Sequence, residues 1–174
     1  NDVIKDRDDY HELSPEEDPI QRVLQLHKGQ YMYPSDSVFA EYIGSKIPSK
    51  KIMILQGAKI HIDITDSDYE KIERMLSKSL DLLLKHKVPH KVIKELYAIN
   101  SLEKTQENKT ITVYPVLIDE NGNPIFLNSQ EWENLVVEID QALMLISPKP
   151  KNVFEGKEGE LPIGNSGRIG WRIG

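Results

Sequence analysis

The chain has 174 residues, a net charge of −6 and no cysteine. That length suits one domain with a stable core. The missing cysteine excludes disulfides, thiolate nucleophiles and cysteine metal sites, and the negative charge opposes nonspecific binding to nucleic acid. No run approaches the roughly 18 apolar residues of a membrane span and the first residues lack the basic and apolar regions of a signal peptide, so a soluble cytoplasmic protein is expected, bound to neither membrane nor nucleic acid.

Acidic residues crowd the amino end through Asp2, Asp6, Asp8, Asp9, Glu12, Glu16, Glu17 and Asp18, a bias that fits a loosely held leader. The chain opens on Asn1 rather than methionine and closes on Gly174 directly after a predicted strand, so a piece of a longer polypeptide is expected. Pro19 to Lys28 predicts a short helix ended by Gly29, and Tyr31 to Lys51 reads as irregular structure with one turn of helix. Residues 1–51 therefore stand as an acidic, irregular or short-helical segment ahead of an α+β domain over residues 52–174.

That domain opens on Gln56 to Ile64, where polar and branched apolar residues alternate with the period of a half-buried strand. Lys59, His61 and Asp63 share one face, and Ile60, Ile62 and Ile64 share the other. The α carbons of Lys59 and His61 are then roughly 6 to 7 Å apart, near enough to reach one small substrate group. A merely solvated polar face is the plainer reading of the same pattern.

Thr65 or Asp66 can cap a helix running to about Lys87, with Ile72, Met75, Leu76, Leu80, Leu83 and Leu84 as its apolar stripe. Pro89 ends it, His90 to Ile93 reads as a short strand, and residues 109–118 read as another, interrupted at Pro115. Asp119 to Pro124 is a turn signal. Asn128 with Glu131 makes a capping box for a second long helix lined by Trp132, Leu135, Val136, Ile139, Leu143 and Ile146. Pro148 and Pro150 open a loop rich in lysine, glutamate and glycine. A last strand puts Arg168, Gly170 and Arg172 on one face. This order predicts an α+β fold with a mixed, mostly antiparallel sheet and two main helices packed on it.

Lys59 with His61, Lys91, Lys109, Arg168 and Arg172 each sit on or beside a predicted strand. If those strands are neighbours, several cations and one imidazole converge as a dianionic phosphate ester requires, because charge-assisted hydrogen bonds are strong and arginine can grip two oxygens. Taken singly, Lys91 and Lys109 read as solvated surface lysines and Tyr114 as a sheet residue half-buried by its ring. His86 and His90 lack companion ligands at a zinc spacing, so no metal site is expected.

Gln56-Gly57-Ala58-Lys59-Ile60-His61, Val88-Pro89-His90-Lys91-Val92-Ile93, Lys109-Thr110-Ile111-Thr112-Val113-Tyr114-Pro115 and Trp171-Arg172-Ile173-Gly174 resemble, in order and spacing, the motifs of a known family. It is the lyase domain of class III and class IV lanthipeptide synthetases, itself similar to the phosphothreonine lyase effectors of pathogenic bacteria. The resemblance spans about residues 52 to 174. It implies elimination of phosphate from phosphoserine or phosphothreonine in a peptide, giving dehydroalanine or dehydrobutyrine without metal or other cofactor. By that likeness Lys91 is the general base, His61 the general acid, and Lys59 polarises the carbonyl or contacts phosphate. Tyr114, Lys109 and Arg172 bind phosphate. Lys104 occupies a position where the family commonly has arginine, so Arg168 is a candidate to compensate. His90 stands where an aromatic or apolar residue is usual. The partners implied are a phosphorylated peptide and kinase and cyclase domains of the same polypeptide. The alternatives are a stand-alone effector acting on a host kinase and a noncatalytic phosphopeptide or leader-peptide binding module.

Overall fold

The structure is a computed structural model and describes residues 10–42, 58–103, 106–118, 121, 124–126 and 129–173. The acidic residues before Tyr10, Lys104, Asn128 and Gly174 lie outside them. Helices α1 (Pro19–Leu26), α2 (Tyr69–Lys85) and α3 (Ser129–Ile146) accompany nine strands: β1 (Tyr31–Met32), β2 (Phe39–Tyr42), β3 (Ala58–Ile62), β4 (His90–Ile93), β5 (Ile111–Val113), β6 (Val116–Ile118), β7 (Pro124–Phe126), β8 (Glu160–Ile163) and β9 (Ile169–Ile173). Seven of them form one sheet in the order β1-β2-β4-β5-β3-β9-β8, while β6 and β7 form a separate pair among the described residues. Every ladder is antiparallel. The fold is α+β, as expected, and its main sheet holds no parallel pair among the described ladders.

The alternation in β3 decides what each face of the sheet carries. Ile60 and Ile62 are 2 % and 1 % exposed and pack with Val92, Ile111, Val113 and Ile169 beneath the apolar stripes of α2 and α3. Burying each such side chain contributes about 1.5 to 3 kcal/mol, so β3 cannot slip by one residue without losing its core contacts. The opposite face carries the polar set.

α1 starts where Asp18 accepts the backbone N–H groups of Ile20 and Gln21 at 2.9 and 3.1 Å and Pro19 fills the first helical position. The other Asp18 oxygen accepts the Leu96 N–H at 2.9 Å, tying the helix to the 3-10 turn Leu96–Ser101. α2 is capped by Asp68, not by Thr65 or Asp66. Those two are engaged elsewhere: the Thr65 hydroxyl donates to Asp63 at 2.6 Å, and Asp66 meets Arg168 at 3.2 Å.

Tyr31 to Tyr42, expected to be irregular, supplies β1 and β2, and α1 packs against α2. Residues 10–42 thus share a sheet and a core with residues 58–173. The short Phe39-Ala40-Glu41-Tyr42 run gains its strand state from hydrogen bonds to β4, a tertiary cause that local propensity does not carry. Pro115 does interrupt the predicted 109–118 strand: β5 stays in the main sheet and β6 leaves it for the hairpin with β7. Among the described residues no helix is long and apolar enough to cross a membrane.

Candidate functional site

Strand register fixes one row across the polar face. Glu41 pairs with Lys91, Lys91 with Thr112, Thr112 with His61 and His61 with Gly170. In the next row Lys59 pairs with Arg172, and Arg172 with Glu160. Lys91 and His61 are therefore separated by one strand, about 10 Å between α carbons, and face the same way. The backbone N–H of Tyr114 donates to Pro89 O at 3.0 Å, which holds Tyr114 at the end of β5 beside β4.

Glu160 is the hub of this face, and nothing in the local sequence distinguishes it. Its carboxylate, 1 % exposed, accepts from His61 Nδ1 at 3.0 Å and lies 3.4 Å from Arg172 Nη1 and 4.0 Å from Lys109 Nζ. An ionised carboxylate only accepts, so the proton of a neutral His61 sits on Nδ1 and the Nε2 lone pair is left for a substrate. Burial holds His61 neutral, its pKa lowered to about 4 despite the pull of Glu160, with Lys109 and Lys59 adding to the effect. The Phe154 ring lies flat beside the imidazole, centroids 6.4 Å apart. It sits directly over Gly170, where an added Cβ would come within 2.7 Å of Phe154 Cγ.

Lys91 is half-buried, and burial first, then the charge of Lys59, lowers its pKa while Glu41 raises it. Its ammonium rests 4.3 Å above the Phe39 ring, on the β2 side of β4. The amine thus leans away from the imidazole on the shared face. Lys109 is 3 % exposed, and its pKa is lowered by burial most of all, then by Arg172, Lys157 and Lys59, against Glu160. The Tyr114 phenol is pushed up to about 12 by burial and by Glu41, so it stays a hydrogen-bond donor at neutral pH. Lys59 acts on His61, Lys91 and Lys109 at once and is central to the group. Neither Lys59 nor Lys91 has an ion pair among the described residues.

Of the predicted residues, Lys59, His61, Lys91, Lys109, Tyr114 and Arg172 are brought to one region. Arg168 is not. It shares the face, but lies at the opposite end of β9, opposite Asp63. There its buried guanidinium donates to the carbonyls of Asp63 and Thr65 at 3.2 and 2.7 Å and pairs with Asp66 at 3.2 Å, leaving no fork for a ligand. His90 points into the helix-side core, where Nδ1 donates to Val88 O and Nε2 accepts the Tyr31 hydroxyl, each at 2.7 Å. Among the described residues no group of three or more His, Cys, Asp or Glu is disposed to hold a metal ion.

Glu160, Phe154, Phe39 and Glu41 were invisible to sequence reasoning. The partner of His61 is 99 residues away, and a glutamate that follows a lysine- and glycine-rich stretch carries no pattern. The one available signal was alternation in Glu160-Leu161-Pro162-Ile163, obscured by a proline that an edge strand tolerates. No protein-family model matches the chain, and no curated protein matches it.

Proposed function

We propose that this chain is a carbon–oxygen lyase that eliminates phosphate from phosphoserine or phosphothreonine in a peptide. The observation that carries this reading is the meeting of Lys59, Lys91, Lys109, Arg172, Tyr114 and His61 on one face, with Lys59 and Lys91 in no ion pair among the described residues and Glu41 opposite Lys91. A dianionic ester answers such an excess of donors and positive charge.

In the elimination, the Lys91 amine takes the α-proton, that electron pair forms the Cα–Cβ double bond, and the Cβ–O bond breaks. His61 gives the leaving phosphate its proton. Both groups start with properties suited to this once the ester arrives. The lowered pKa of Lys91 raises its share of free amine. His61 is neutral in the free protein, and a dianion beside Nε2 favours the charged imidazolium, loading the acid only when substrate is bound. Lys59 stabilises charge developing on the substrate carbonyl. For this chemistry the Lys91 ammonium must leave the Phe39 ring and swing toward Thr112, a side-chain rotation that a bound anion rewards. By the same reading the enzyme works in the cytoplasm, alongside kinase and cyclase domains of one polypeptide.

The test is incubation of the protein with a phosphoserine peptide and mass spectrometry of the products. Elimination leaves a dehydroalanine peptide, lighter by one water than the serine peptide a phosphatase would return. Intact phosphopeptide after long incubation with folded protein rejects the proposal. A second reading, a noncatalytic phosphopeptide binder, is favoured by the lean of Lys91 over Phe39. Saturable binding without mass change would establish it.

A further inference from the structure

On the other side of the sheet, α3 and the β8–β9 edge leave an apolar groove of about 390 Å3, walled by Trp132, Val136 and Val137 from the helix and Ile163 and Trp171 from the strands. It exists because the helical layer stops at α3 while the sheet continues to β8. Leu161, the register partner of Trp171, is consequently 59 % exposed, and Val137 is 46 % exposed. Contiguous apolar surface of this kind beside tryptophan marks a binding site more often than bare solvent-facing surface.

Charge identifies the occupant. α3 carries Glu131, Glu133, Glu138 and Asp140 and has no Lys, Arg or His between Ser129 and Ile146. Asp140 is spent on the backbone N–H groups of Asn165 and Ser166 at 2.8 and 3.0 Å, but Glu133 is exposed on the groove wall. A second copy of this chain, with net charge −6, would bring acidic helices together. An apolar tail alone would leave the acids unanswered.

We propose that the groove docks a short amphipathic helical segment whose apolar side chains recur at helical spacing and whose polar face is lysine- and arginine-rich. Its apolar anchors fill the space between Trp132 and Trp171, and its cations meet Glu133, the exposed acid on the groove wall. The proposal does not depend on the elimination chemistry.

The chain's two tryptophans, Trp132 and Trp171, both line the groove, so intrinsic fluorescence reports its occupancy directly. The probe is a synthetic leucine/lysine peptide with leucines at helical spacing, compared with the same peptide carrying glutamate for lysine and with dodecanoate. The lysine peptide should shift and quench the emission saturably, more weakly at high salt, while the glutamate peptide leaves it unchanged. Glu133→Lys and the surface change Val137→Asn, which removes apolar contact without adding charge, should each weaken the response about tenfold or more. An unresponsive emission with the lysine peptide overturns the proposal. So does an equal response to both peptides or to dodecanoate, which would mark a nonselective apolar pocket. An emission shift that tracks protein concentration, with a dimer in sedimentation, assigns the groove to a second copy instead.

Discussion

Two arginines of one parity, Arg168 just before β9 and Arg172 within it, stand about 13 Å apart along the chain and do opposite work. Around Arg168 the ends are closed: Asp63, fully buried, faces Lys151 Nζ at 3.0 Å and Arg168 Nη1 at 3.7 Å, and the guanidinium is held by carbonyls and by Asp66. Around Arg172 the balance is reversed. Its side chain is 41 % exposed, and one buried glutamate is shared among Arg172, Lys109 and His61 while Lys59 and Lys91 go unpaired among the described residues. Residue type and sequence parity are identical, so the difference lies in how many acids and carbonyls surround each cation. A buried cation held through both terminal nitrogens is architecture. An unsatisfied one is available to a ligand.

Substitutions should separate the two ends. The largest effect expected is on turnover: Lys91→Ala should cut phosphate release by at least about 10² to 10⁴, with an unchanged urea midpoint, because the open end does not hold the fold. A matching loss of stability would erase the distinction. At the closed end, Arg168→Leu should cost about 3 to 5 kcal/mol by urea denaturation, since it removes the buried donor of the Asp63 and Thr65 carbonyls and leaves Asp63 to Lys151 alone, whereas Arg172→Ala should cost under about 1 kcal/mol. Equal costs would mean that Arg172 too is structural.

Between the ends lies Gly170. Gly170→Ala drives a methyl into Phe154 and should cost about 1 to 3 kcal/mol, with a companion fall in phosphopeptide affinity as the ring shifts from His61. Acid provides a finer probe. His61 and His90 are both held at about 4, against 6.5 for a free imidazole, chiefly by burial. Between those values the unfolded chain binds protons that the folded chain refuses. Stability from this source is therefore complete above about pH 6.5 and lost as the pH falls toward 4. His61→Gln should flatten part of that slope in urea titrations, and His90 should sustain the remainder. The smallest effect concerns Lys59: because its charge lowers the Lys91 pKa, Lys59→Met should move the alkaline-rising limb of the rate profile to higher pH. A limb that stays in place would remove Lys91 as the titrating base.

What the sequence made legible follows the range of the forces involved. The stripe of α2 and the alternation of β3 are periodic over many residues, and both elements formed with the expected faces. β1, β2 and β8 have two to four residues each and owe their state to neighbours distant in sequence. Of the candidate site, residue faces could be read but partners could not. The parity that put Arg168 beside Arg172 said nothing of Asp63 and Asp66, and no spacing rule joins His61 to Glu160 across the chain. The lean of Lys91 onto Phe39 was hidden for the same reason, since β2 itself was unread.

The single register that runs from Glu41 through Lys91, Thr112 and His61 to Gly170 puts a rule of even numbers on the molecule. Gain or loss of one residue inside β3 or β4 would turn its lysine toward the oily underside and lift an isoleucine or valine among the charged groups of the other face, whereas a change of two would restore the original facing. Insertions tolerated by relatives or by laboratory libraries in these strands should therefore come in pairs, and the loops between them should absorb any odd length.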